Sequence, residues 1–128
     1  MRGAYRLVKL CAYGFHALEA MQCLVERRKG GETGIQSVQL LEGDAVWKAM
    51  HQQAWSHELM SRALSRSDLV EGITLVDART QDLAAAGVLE KIVTDPKAVL
   101  VRYRDGLKGT LLMLPGATGD YTAAVRSD

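Results

Sequence analysis

Scarcity bounds this chain before anything present in it does. Its 128 residues include only two cysteines, Cys11 and Cys23, two prolines and one phenylalanine. Two thiols outside any CxxC spacing exclude a disulfide framework, and they fit small buried residues of a reduced, cytoplasmic protein. An excess of one charge is missing as well. Sixteen Lys and Arg against fifteen Asp and Glu leave a formal charge of +1, too weak a field to hold nucleic acid or an anionic membrane, so neither is expected as a partner. No window approaches the ~18 uninterrupted apolar residues of a membrane span. The N-terminal MRGAYRLVKLCAYGF lacks a cleavage pattern and is interrupted by Lys9, which makes it part of the fold rather than a signal segment. Ligand spacings are also absent. His16 and Cys23 would stand about 10 Å apart along a helix. His51 and His57 have no HExxH companion, so no metal is expected.

What is present suits a single α+β domain over 1–128. The clearest stretch is Ala12 to Gly34, a helix with Phe15, Leu18, Met21, Leu24 and Val25 on one broad apolar face. His16, Cys23 and Arg27 share another side, and Arg27, Arg28 and Lys29 precede Gly30-Gly31, where cations suit a helix end. Tyr5 to Cys11 and Ile35 to Leu41 read as strands. Asp44 and Ser56 read as N-caps, which predicts two short helices or one bent one. Between Ser67 and Arg79, ITLV suggests a brief strand; Thr80 caps a helix that Gly87 either weakens or ends, and VLEKIVTDP would continue it as far as Asp95-Pro96.

AVLVRYR and LKGTLLML flank Asp105-Gly106, which predicts a hairpin with a two-residue turn. That turn would set Arg104 opposite Leu107, Tyr103 opposite Lys108, Val101 opposite Thr110 and Val99 opposite Leu112. YTAAVR would add a further strand. The expected fold is α+β: an open, mostly antiparallel sheet holding Ile35 to Leu41, Ala98 to Arg104 and Leu107 to Leu114, with helices packed on one face.

For chemistry, His16 is the leading candidate. It falls within a turn of Gly14, where an imidazole can look out of a helix N-terminus for acid-base work; the plain alternative is an ordinary surface or packed histidine. Glu19, three residues on, would orient it or form a surface pair. ERRKGG resembles a phosphate loop but ends a helix, where the dipole repels anions. Arg102, Arg104 and Lys108 make a local basic group without the interleaved aromatics of a nucleic-acid surface.

Three segments, AYGFHALEAMQCLVERRKGGETGIQSVQLLEGDAVWKAM, DPKAVLVRYRDGLKGTLLMLPG and DYTAAVR, resemble a bacterial family of unassigned activity. That family is distantly similar to the second, substrate-binding domain of the glucose-fructose oxidoreductase and inositol dehydrogenase family. There a G-x-H-x-x-D pattern opens the helix at the substrate site, matched here by Gly14, His16 and Glu19, with glutamate in the last place. The resemblance implies an open, mostly antiparallel sheet and a substrate-domain-like fragment or descendant of an NAD(P)-dependent oxidoreductase. Its departures imply a chain not catalytic alone. The Gly-rich nucleotide fingerprint and the lysine motif beside the nicotinamide are missing, and Ala12 stands where an aspartate is expected. On this reading His16 and Glu19 are the catalytic candidates, and Tyr13, Arg102 and Lys108 the substrate-binding ones. No cofactor belongs to this chain, and NAD(P) enters only with a separate N-terminal dinucleotide-binding domain. The alternative is a non-catalytic α+β module that binds a small ligand or forms a homodimer through the open sheet face.

Overall fold

The structure, a computed structural model, describes residues 5–10, 14–31, 33–66, 89–117 and 122–126. In chain order the elements are β1 (Tyr5–Leu10), α1 (Gly14–Glu26), β2 (Ile35–Glu42), α2 (Asp44–His51), α3 (His57–Leu64), α4 (Leu89–Ile92), β3 (Lys97–Tyr103), β4 (Lys108–Met113) and β5 (Thr122–Val125). The ITLV strand, the Thr80 cap and the start of the helix after it lie outside the described residues. Within the described residues after them, α4 stops at Ile92, short of Asp95-Pro96.

The strands form one sheet in the order β2-β3-β4-β1-β5. β2, β3 and β4 are antiparallel neighbours, β1 runs parallel to β4, and β5 is antiparallel to β1. The chain therefore has the α+β class and the open, mostly antiparallel sheet that its pattern predicts. YTAAVR does supply a strand, but beside β1 at the far edge rather than beside the hairpin.

The hairpin register differs from expectation by one residue. Arg102 pairs with Lys108, Val101 with Gly109 and Val99 with Leu111. Three residues, Arg104 to Gly106, form the loop. The Gly106 N–H donates to the Tyr103 carbonyl at 3.0 Å, and the Tyr103 N–H to the Leu107 carbonyl at 2.9 Å. Gly106 has φ +90°, so it serves as the left-handed residue after a turn, the arrangement of a three-residue hairpin loop with a bulge. Asp-Gly announces a turn without fixing whether both residues or only the glycine adopt positive φ. Here the extra loop residue moves every β4 side chain to the opposite face from the one expected.

That shift decides how the layers pack. Ala98, Leu112 and Leu114, with Leu100, meet α2, α3 and α4 in the larger core, around Val46, Trp55, Leu59, Met60, Leu64 and Leu89. Val101, Tyr103 and Leu111, with Val99 and Met113, meet Ala17, Met21 and Val25 of α1 in a second core. The helices thus divide between the two faces instead of sharing one, because β3 and β4 alternate apolar residues on both sides and each side needs cover. Gly109 leaves room for α1: a Cβ there would sit 3.0 Å from the Met21 sulfur.

Local chemistry explains most boundaries. Ser56 caps α3 as expected, its Oγ accepting from the Leu59 N–H at 3.2 Å. Asp44, in contrast, is the first residue of α2, and Gly43 takes the cap position without a side-chain bond. Trp55 anchors the loop between α2 and α3, donating from Nε1 to the Val46 carbonyl at 2.9 Å, with its ring centroid 6.4 Å from that of Trp47. α2 closes in a paired-hydrogen-bond cap, with Gln53 N–H to Met50 O at 2.9 Å and Ala54 N–H to Ala49 O at 2.8 Å.

That cap holds Gln53 at φ 61°, in the left-handed region where a side chain is strained. Gln53→Gly is expected to stabilise the protein by roughly 0.5–1 kcal/mol, raising the urea midpoint without changing the slope; an unchanged or lower midpoint would show that the cap carries no strain.

Candidate functional site

α1 presents different surfaces because its residues recur every 3.6 positions. Ala17, Met21 and Val25 face the sheet, spaced by four. His16 and Glu19 lie on the outer side, with exposures of 62% and 61%, and approach each other at 3.8 Å between Nδ1 and Oε2. Their spacing brings them together as expected, with both side chains largely exposed to solvent. Cys23, expected to be buried, is exposed on the same helix; at seven residues from His16 it falls almost two whole turns on, on the solvent side.

The other candidates do not converge on this pair. Arg102 and Lys108 are register partners on β3 and β4, and strand alternation places them with Leu100 and Thr110 on the face away from α1. Tyr13 and Cys11 lie outside the described residues. Among the described residues, no group of three or more His, Cys, Asp or Glu could hold a metal ion, and no helix is long and apolar enough to cross a membrane.

Two features escape a linear reading. The first is an apolar groove of about 370 Å³ between α1 and β2, lined by Leu18, Met21, Ile35, Val38, Val101 and Tyr103, with Glu19 and Gln22 at its polar rim. α1 lies against β1 and β4, so the β2 side of the same face has no helix over it among the described residues. Val38 is 60% exposed, Leu40 58%, Ile35 48% and Leu18 43%. The turn signals flanking IQSVQLL favour a strand despite its imperfect alternation, but nothing in them tells which edge of the sheet the strand occupies.

The second is the fixing of α1. Arg28 donates from Nε to Asp105 Oδ2 at 2.8 Å, from Nη1 to the Val25 carbonyl at 3.0 Å, and lies 5.0 Å from the Tyr103 ring centroid. The expected basic end of the helix is therefore not simply solvated: Arg28 is largely buried and clamps α1 to the hairpin turn. ERRKGG and the Asp-Gly turn are each visible in sequence, but 77 positions separate the partners.

Asp105 titrates below the ordinary carboxylate range. Partial burial pushes its pKa up, but the hydrogen bond from Arg28, the Leu107 N–H and the Arg28 charge together outweigh that effect. Compared with known proteins, the chain matches no family model, no curated protein and no solved structure. The residues themselves must then carry the functional reading.

Two outcomes follow from the clamp. Arg28→Ala is expected to cost about 2 kcal/mol by removing a charge-assisted bond and a ring contact together, and Arg28→Lys to recover little of it, as denaturant midpoints will measure. With the folded pKa of Asp105 depressed, its stabilisation is fully present above the unfolded value of about 3.9 and disappears as pH falls through the lower folded value. Asp105→Asn should flatten that part of the acid-stability profile; an identical profile would mean that the carboxylate is not clamped.

Proposed function

We propose that the chain is a non-catalytic α+β module that self-associates through the uncovered part of the sheet beside α1. The single observation that supports this reading is the strip formed by Leu18, Ile35 and Val38 around one groove and Leu40 on the same face of β2, four large aliphatic side chains left between about two-fifths and three-fifths exposed. Isolated exposed aliphatics are ordinary, whereas a contiguous set on a strand and the adjoining helix is a docking surface. A second copy supplies the same strip, and a twofold axis makes one such surface complementary to itself.

The oxidoreductase-derived reading has less geometry behind it. It needs His16 and Glu19 to open on a substrate cleft together with Arg102 and Lys108, and these two pairs stand on different faces of the sheet.

Sedimentation from about 1 to 100 μM is the direct measurement, since dimers of modest interface dissociate in that range. The mass is expected to rise from monomer toward dimer with concentration, and Val38→Asp with Leu40→Asp to keep the protein monomeric and folded, both positions being exposed already. A wild-type monomer throughout would overturn the proposal. Titrated NAD(P)H is expected to give no saturable change in nicotinamide fluorescence, and saturation would restore the oxidoreductase-derived reading.

A further inference from the structure

We infer that two copies join edge to edge, β2 against β2 in antiparallel pairing centred on Gln39, to make one continuous sheet; this rests on the self-association proposed above and specifies its geometry. β2 is the longest described strand, with eight residues, and it occupies an edge of the sheet. Seven of those eight residues are exposed; Leu41 alone packs against the larger core, and no backbone hydrogen bond from another described segment reaches the outer edge of the strand.

Sheet edges are normally blunted by lysine, proline, inward charge or shortness. β5, the other edge, is only four residues long. The stretch from Ile35 to Leu41 has no charge and no proline, while β3 and β4 carry Lys97, Arg102 and Lys108. Its single irregularity, a register shift between Ile35 and Ser37, leaves Ser37 to Glu42 in regular pairing with β3.

The side chains favour a second copy as the occupant. Val38 and Leu40 pair with Val101 and Val99, which places both on the α1 side; Gln39, paired with Leu100, projects from the other. A twofold axis at Gln39 sets Val38 opposite Leu40 of the second copy, twice over, and Gln39 opposite itself, where two amides can bond to each other. Ser37 meets Leu41, and Glu42 falls toward the uncharged Gln36 end, so no like charges oppose. A strand of eight residues extends about 27 Å, and at a sheet depth of about 10 Å it buries on the order of 270 Å² per copy, well below the ~800 Å² per partner of a standard interface. The pairing is therefore reversible and dependent on concentration.

The test combines two measurements with the sedimentation series. In a Cys11→Ser, Cys23→Ser background, Gln39→Cys is expected to give a covalent dimer with a short bis-thiol reagent, and Ser65→Cys, exposed at the end of α3, to give none. In the wild-type chain, hydrogen exchange should show β2 amides protected at high concentration and a subset released on dilution. A dimer by sedimentation with no cross-link at position 39 and no dilution-sensitive β2 amides overturns the edge pairing while leaving self-association intact. A monomer at every concentration overturns both. Full β2 protection that is independent of concentration means the edge is occupied within one chain, and overturns the pairing.

Discussion

A guanidinium held between a ring and a carboxylate governs the layout of this domain. Arg28 stacks on Tyr103, donates to Asp105 and to the carbonyl of Val25, and so joins the last turn of α1 to the tip of the β3-β4 hairpin. The planar cation suits this place because it can face an aromatic ring while its edge donates in fixed directions. It also sits just beyond the C-terminus of α1, where the helix dipole favours positive charge. With that end pinned and Met21 close to Gly109, α1 has little freedom to slide along the sheet.

The position of α1 has consequences on both sides of the sheet. One helix about 10 Å wide covers two strands at the ~4.8 Å spacing of a sheet, and α1 lies against β1 and β4. On the opposite face α2, α3 and α4 build the larger core around Trp55. Among the described residues no other helix lies on that side, so β2 is left open there and its Ile35, Val38 and Leu40 stay in contact with water. The apolar strip is thus a result of unequal helix cover, not of an unusual composition.

The same division explains why the candidate residues remain apart. His16 and Glu19 belong to the outer surface of a helix whose inner surface holds Ala17, Met21 and Val25. Arg102 and Lys108 extend from the far side of the sheet, because one residue added to the hairpin loop set the register. A site drawing on both pairs would have to pass through the packed layer between them. The chemistry available at His16 and Glu19 is that of an exposed side-chain pair, whereas the α1-β2 strip is a continuous apolar surface.

Local pattern determined much of what is seen. The helical spacing of Phe15, Leu18, Met21, Leu24 and Val25, the Ser56 cap, the run Ile35 to Leu41 and the Asp105-Gly106 turn act over a few residues and produced α1, the start of α3, β2 and the β3-β4 hairpin, although the helix buries Ala17, Met21 and Val25 and leaves Leu18 and Leu24 exposed. The α+β class and the mostly antiparallel sheet follow from these elements and their order. Other features needed the tertiary structure: the division of helices between faces, the edge position of β2, the exposure of Cys23, and the Arg28-Tyr103-Asp105 clamp. Their reason is common. A one-residue change in a turn inverts a strand, and contacts such as Arg28 to Asp105 join residues 77 positions apart, so the outcome depends on how the whole sheet assembles and not on any one segment.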